Sequence, residues 1–188
     1  QTGAGRGSVK TTAQIAATLR GALADPYSSH AVSTCAPLAL PTAELVVPPY
    51  TLGVWLGGRE GALDTRDEPV IRAQIEAEDS GRSADNALLR AATLGHGHIP
   101  DSYLRASQSQ RRALLAGLLD SSGRVTPAGA VELTSASQRL VTTAQELVLS
   151  LGYRCDVTDA RTLTFHAHDD VFRLGRKQLA HKERASRN

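Results

Sequence analysis

The chain has no methionine, two cysteines, and only one Trp, four Tyr and two Phe among 188 residues. An intact translation product begins with methionine, so the sequence is expected to be a trimmed or internal piece of something longer. With aromatics at 4%, the core must rest on Leu, Val and Ala. No apolar run approaches the ~20 residues of a membrane span, and no membrane partner is expected. The opening residues QTGAGRGSVK lack the apolar core of a signal peptide. Cys35 and Cys155 are far apart and without metal-ligand spacing, so inert, reduced thiols and a cytoplasmic location are the expectation.

Apolar content of 41% and charged content of 21% are those of an ordinary globular protein long enough to bury a core. The net charge of +2 conceals an asymmetry. Residues 1–99 carry 8 Lys and Arg against 10 Asp and Glu, and residues 100–188 carry 13 against 9. A basic second half suits a polyanionic partner and suits a solvated surface almost as well.

TTAQIAATLRG carries a Thr11-x-x-Gln14 capping pattern and a stop at Gly21, which predicts a short helix. HAVSTCAPLALPTAELVVPPY reads as an extended connector with one or two strands. Pro48 and Pro49 open a helix over YTLGVWLGG. ALDTRDEPVIRAQIEAEDSGRS predicts a strand end, a turn and a helix over 69–79, and DNALLRAATLG a further helix with Asp85 as N-cap. From residue 100 the pattern is cleaner. SQRRALLAGLLD is a helix, and GRVTPAGAVELTS a hairpin turning at Pro127–Gly129. SQRLVTTAQELVLSLG is an amphipathic helix closed by Gly152. YRCDVTDARTLTFHA is a second hairpin turning near Asp159–Ala160, and DDVFRLGRKQLAHKERASRN a basic helix fraying into a tail. The order α-β-β-α-β-β-α describes an α+β unit with helices on one face of an antiparallel sheet.

Two apolar helices, LGVWLGG and LAGLLDSSG, have small residues at their centres: Gly53 in one, Ala116 and Gly117 in the other. A mid-helix glycine costs about 1 kcal/mol relative to alanine. Close approach of a second helix, inside the ordinary ~8–10 Å spacing, offsets that cost. The two helices are therefore expected to pack on each other about a pseudo-twofold axis.

LLAGLLDSSG resembles the LAGLIDADG motif of homing endonucleases, and PPYTLGVWLGG resembles the first such motif as it occurs in inteins. The run HIPDSYLRASQSQRRALLAGLLDSSG, followed by LVLSLGYRC, is similar to the DOD-type endonuclease region of actinobacterial inteins in replicative DNA helicases. The resemblance extends from about Val9 to Arg184 and is densest over 98–155. It implies a LAGLIDADG fold of two α-β-β-α-β-β-α repeats, a saddle of two sheets on double-stranded DNA, and a helical waist. The waist helices deliver one carboxylate each to Mg²⁺ ions at the scissile phosphates. Hard Mg²⁺ takes oxygen ligands, and two-metal displacement needs negative ones at both strands.

Carried over residue by residue, the metal-ligating acid falls on Gly58 in the first helix and on Ser122 in the second. Asp120 matches an earlier, structural Asp. Neither Gly58 nor Ser122 supplies a carboxylate, so the resemblance implies a degenerate, cleavage-impaired endonuclease, with Asp120, Glu60 or Asp64 as candidate rescuing acids. The spacing between Glu78 and Asp85 leaves no room for a hairpin, so the first repeat is expected to have lost its second one. The division implied is 1–49 as a connector toward an absent splicing domain, 50–99 as a shortened first repeat, and 100–188 as the second repeat with its basic C-terminal helix. The family's splicing ends, a nucleophilic first residue and a terminal His-Asn, are not matched by Gln1 or by Arg187–Asn188. A monomer acting on the insertion site of its host gene, with the splicing domain in cis, is the implied assembly.

In such proteins sheet strands lie in the major groove, where Arg reads guanine and Thr offers hydroxyl or methyl contacts. Arg124, Thr126, Arg154 and Arg161 sit on the predicted hairpins. Arg173, Arg176, Lys177, Lys182 and Arg184 fit either phosphate contacts or a solvated helix face. His96 and His98, and His166 and His168, read as loop and strand-end surface, and Trp55 and Leu56 as core. Two other readings of the same fold stand beside the endonuclease: a DNA-binding regulator and a non-catalytic structural insert.

Overall fold

The computed structural model describes residues 9–21, 35–59, 63–80, 83–94 and 97–185. The chain divides into two compact units, residues 1–34 and 35–188. Among the described residues of the first unit is one helix, α1 (Thr12–Gly21). Its N-terminus carries the reciprocal cap the sequence suggests: the Gln14 N–H donates to Thr11 Oγ1 and the Thr11 N–H to Gln14 Oε1, satisfying donors that a helix start leaves open.

The second unit begins with residues 35–48, which form no strand; the strands expected of the connector do not occur among its described residues, and residues 30–34 lie outside them. Its prolines have no N–H to contribute to a ladder, and remote side chains satisfy its backbone instead. Gln110 bonds both backbone groups of Ala43, accepting from N–H at 3.0 Å and donating to C=O at 2.7 Å. The Tyr103 hydroxyl does the same at Val47, accepting at 3.1 Å and donating at 2.8 Å. Arg111, fully buried, donates to the carbonyls of Leu38, Ala106 and Ser150 and to Ser150 Oγ. Burial depresses its pKa, with Arg105 adding to the effect.

Helices follow: α2 (Pro49–Gly58), α3 (Glu68–Glu78), α4 (Ala84–Thr93) and the single turn α5 (Asp101–Leu104). No strand occurs among the described residues of 49–99, where the sequence suggested a strand end before α3 and the loss of the second hairpin alone. Ser83 precedes α4 as its N-cap residue, where Asp85 was expected. Asp85 lies inside the first turn, where an acid favours the helix dipole, and pairs with Arg72 at 2.7 Å.

From residue 108 the order is α6 (Gln108–Ser122), β1 (Gly123–Val125), β2 (Val131–Thr134), α7 (Gln138–Ser150), β3 (Cys155–Thr158), β4 (Thr162–Phe165) and α8 (Gly175–Ala185). The chain is thus α+β with a four-stranded antiparallel sheet in the order β1-β2-β4-β3 and, among the described residues, eight helices. A Ser107–Gln110 capping box starts α6. Gly152, at φ +86°, ends α7 in the left-handed conformation that glycine adopts without strain. The Tyr153 N–H then reaches back to Val148 C=O, a Schellman closure. Residues 169–174 are not helical; α8 begins later than the sequence suggests, and the N–H groups of Arg173 and Leu174 just before it go to a side chain of α6, described below.

The register places Val131 opposite Phe165 and Leu133 opposite Leu163, and these four side chains enter a core shared with Leu115 and Leu147. Alternation turns Arg124, Glu132, Thr134, Asp156, Thr158, Thr162 and Thr164 to the other face. That face carries two acids against one arginine.

The helices α2 and α6 cross in direct backbone contact. A Cβ on Gly53 would lie 2.2 Å from Leu114 O and 2.7 Å from Leu118 N, and one on Gly117 would lie 2.1 Å from Tyr50 O and 3.0 Å from Val54 N. The contacts are reciprocal: each glycine meets the carbonyl three residues before the other glycine and the N–H one residue after it. Such an isologous pattern is the signature of a twofold operator, here acting within one chain. The same shift in numbering carries Gly57 onto Ser121 and Gly58 onto Ser122.

Candidate functional site

The pseudo-twofold crossing brings the C-terminal ends of α2 and α6 side by side. A Cβ on Gly57 would meet Ser121 Oγ at 2.1 Å and Ser122 Oγ at 2.7 Å. Both serine hydroxyls are turned back into their own helix: Ser121 donates to Gly117 and Leu118 carbonyls, and Ser122 to Leu118 C=O at 2.9 Å. Among the described residues, a Cβ on Gly58 would meet Leu63 Cδ2 at 3.9 Å and nothing closer.

Beside them lies a cleft of about 460 Å³ whose lining includes Asp64, Asp67, Ser122, Arg124, Arg176 and Lys177. Asp120, Ser121 and Arg184 also line it. The cleft gathers Asp64, Asp120, Ser122, Arg124, Arg176, Lys177 and Arg184 of the residues singled out by sequence. Gly58, Thr126, Arg154 and Arg161 do not line it.

Each polar group in this cleft has protein partners. Asp120, 2% exposed, accepts from the Tyr50 hydroxyl at 2.9 Å and from the N–H groups of Arg173 and Leu174. Burial pushes its carboxyl above the usual range, and these bonds oppose the shift. Burial also raises the Tyr50 hydroxyl, as does the adjacent Asp120. The Arg173 guanidinium stacks 4.4 Å from the Tyr50 ring centroid and reaches Glu78 at 3.4 Å. Glu78 in turn accepts the Tyr50 N–H at 3.0 Å. Asp120 thus ties α6 to α2 and to the segment before α8.

Arg176 clasps Asp67 through two nitrogens and reaches Asp64 at 3.3 Å, which holds the Asp67 carboxyl below its usual pKa. Lys177 Nζ donates to the carbonyls of Leu119, Asp120 and Gly123 at 2.9, 2.8 and 2.8 Å, capping the end of α6. Arg184 donates to Val125 C=O. Arg124 is paired with Glu132, its cross-strand neighbour.

The remaining candidates lie elsewhere. Thr126 closes the β1–β2 turn: its N–H donates to Ala130 C=O at 2.8 Å and its Oγ1 accepts from Ala130 N–H at 3.1 Å. Arg154 and Arg161 are exposed at the two ends of β3, and His166 and His168 are exposed beyond β4. Leu56 is core and Trp55 half-buried, with Arg59 stacked 4.7 Å from its ring centroid. Both cysteines are free; burial pushes the Cys155 thiol up. Glu60, His96 and Arg187–Asn188 lie outside the described residues.

Among the described residues the donors at the helix ends do not fit a hard divalent ion. The motif positions offer glycine and a serine bonded inward, both Asp120 oxygens accept protein N–H or O–H, and Asp64 and Asp67 are held by Arg176. Among the described residues no group of three His, Cys, Asp or Glu side chains is placed to hold a metal.

Sequence reasoning missed Tyr50, Glu78 and Asp67, the partner of Arg176, as parts of this region. The Pro-Pro-Tyr entry to α2 was the available signal, since it sets a phenol one turn before the glycine crossing.

No family model matches the chain. It is 46% identical over 193 residues to a protein of Mycobacterium intracellulare named replicative DNA helicase DnaB. That match covers 94% of this chain and 33% of the helicase, so the chain spans a third of the length of the relative it resembles. No described helix is long and apolar enough to cross a membrane.

Proposed function

We propose that the chain is a LAGLIDADG-type endonuclease domain inserted, as part of an intein, in a replicative helicase, and that it has lost strand cleavage while keeping its scaffold. The observation that carries this reading is the reciprocal glycine crossing of α2 and α6, whose matched ends hold Gly58 and Ser122 where two-metal hydrolysis needs acids. One complete α-β-β-α-β-β-α half, 108–185, supports it. The similarity to a helicase supports the insert setting. The chain contains no Gly-Lys dipeptide, hence no P-loop of the form G-x-x-x-x-G-K-[ST], so it is not read as the nucleotide-binding core of a helicase.

A second reading, an insert that neither cuts nor grips DNA, is favoured by one observation. The cleft cations Arg124, Arg176, Lys177 and Arg184 all bond protein oxygens. Incubation of the full chain with Mg²⁺ or Mn²⁺ and a plasmid carrying the uninterrupted helicase-gene site is expected to give no linear product. Specific linearisation overturns the loss of cleavage. A gel shift that weakens steeply with salt supports retained DNA binding, and absence of any shift supports the second reading.

A further inference from the structure

The four cations that line the cleft, Arg124, Arg176, Lys177 and Arg184, are not held alike. Lys177 and Arg184 donate to backbone carbonyls, which leave their charge uncancelled, and Arg124 meets Glu132 within its own hairpin. Arg176 instead reaches from α8 to the turn before α3, 109 residues earlier in the chain. Its Nε donates to Asp67 Oδ1 at 2.7 Å, and its Nη2 donates to Asp67 Oδ2 and, at 3.3 Å, to Asp64 Oδ2. The turn presets both acids: the Asp67 N–H donates to Asp64 C=O at 2.9 Å, and the Arg66 N–H to Asp64 Oδ1 at 3.0 Å. The Asp67 side chain is 7% exposed and that of Arg176 54%. The acid is thus fixed in the wall, and the guanidinium stands at the cleft surface.

We propose that Asp64 and Asp67 are an internal substitute for phosphate, which occupies Arg176 and holds this wall of the cleft closed to a polyanion. The proposal rests on the reading of the chain as a scaffold that still meets DNA. A guanidinium offers the same fork of parallel N–H bonds to a carboxylate as to a phosphate. The two acids therefore take the donors that a backbone phosphate would take. Two carboxylates around one guanidinium also leave the trio with one negative charge in excess. A phosphate approaching within the screening length of about 8–10 Å meets that excess in place of a free cation. The contact is autoinhibitory, made by the segment before α3 on α8.

The test is a cycle of four versions of the full chain: unaltered, Asp64→Asn with Asp67→Asn, Arg176→Gln, and all three substitutions together. Each is titrated against a fluorescein-labelled DNA duplex of arbitrary sequence, and anisotropy is read at several NaCl concentrations between about 50 and 200 mM. Circular dichroism checks folding. The paired Asp→Asn variant is expected to bind at least about threefold more tightly than the unaltered chain at the lower salt. Its plot of log affinity against log salt is expected to steepen by about 0.9, the effect of one further phosphate contact. In the Arg176→Gln background the same two substitutions are expected to leave the slope unchanged. Equal steepening in both backgrounds overturns the proposal, because the freed cation is then not Arg176, and leaves DNA binding standing. An unchanged affinity and slope for the paired variant overturns it likewise. Absence of binding by all four folded chains overturns the DNA reading and the proposal with it. If the pair does not fold, Asp67→Asn alone takes its place with the same outcomes.

Discussion

Gly117→Ala tests the crossing on which the functional reading depends. The added methyl carbon would lie 2.1 Å from Tyr50 O, more than an ångström inside an ordinary contact of about 3.5 Å. Its other close neighbours, Tyr50 C and Val54 N at 3.0 Å, are also backbone, so no side-chain rotation relieves the clash. The helices must separate, and the Tyr50–Asp120 bond between them is strained as they do. Overpacking of this kind costs about 1–3 kcal/mol, occasionally more, and a contact with backbone on both sides belongs at the upper end. Replacing a mid-helix glycine by alanine returns about 1 kcal/mol. The net expectation is a loss of about 2 kcal/mol, or roughly 4–8 °C in Tm at this chain length. Thermal and urea unfolding followed by circular dichroism read it. Gly58→Ala is the control: among the described residues its added carbon meets Leu63 Cδ2 at 3.9 Å, an ordinary contact, so it should leave Tm unchanged or raise it. A Gly117→Ala protein melting at or above the unaltered chain would refute the close-contact argument.

Asp120→Ala leaves the Tyr50 hydroxyl and two N–H groups without their acceptor and should cost about 3 kcal/mol or more in urea unfolding, at about 1–3 kcal/mol per stranded donor. Tyr50→Phe, which loses one bond, should cost about 1 kcal/mol, and a reversed order of the two would refute the anchoring role of Asp120. Arg111→Met removes the bonds to Leu38, Ala106 and Ser150. Limited proteolysis should then cut within residues 35–48 under conditions where the unaltered chain resists, and equal resistance would refute the strap. His181, 3% exposed, has its pKa lowered by burial and by His166, against the opposing pull of Asp170, Asp169 and the Ala167 carbonyl. The unfolded chain therefore takes up that proton first. Its contribution to stability is complete above about pH 6.5, its ordinary value, and is lost on acidification through the lower folded pKa. Urea midpoints between pH 7.5 and 5.5 should fall more steeply for the unaltered chain than for His181→Leu, and parallel slopes would refute the assignment.

The second half was legible because its signals are local. The stripe of Leu140, Val141, Ala144, Leu147 and Val148 repeats at the helical period and is buried in α7, and Pro127–Gly129 and Asp159–Ala160 mark both hairpin turns. The pairing of α2 with α6 was legible for another reason: a mid-helix glycine has a local cost, so its presence points to a close neighbour. What could not be read are bonds between a side chain and a distant backbone. Lys177 binds three carbonyls and Arg111 four oxygens, three of them carbonyls, and a carbonyl carries no mark of its residue. The connector defeated the strand expectation for the same reason, since Tyr103, Gln110 and Arg111 lie far along the chain from the residues they hold.

The charge distribution invites an inference that the geometry redirects. A second half with 13 basic against 9 acidic residues suggests a surface for polyanions, yet its cations concentrate where helices end and turn. Lys177 caps α6, Arg184 holds the backbone of β1, and Arg176 reaches across to Asp67 before α3. The sheet face turned away from the core carries Arg124 neutralised by Glu132, together with Asp156 and four threonines. A cation engaged in such a bond must give it up to meet a phosphate, so only a fraction of the formal charge is on offer to DNA.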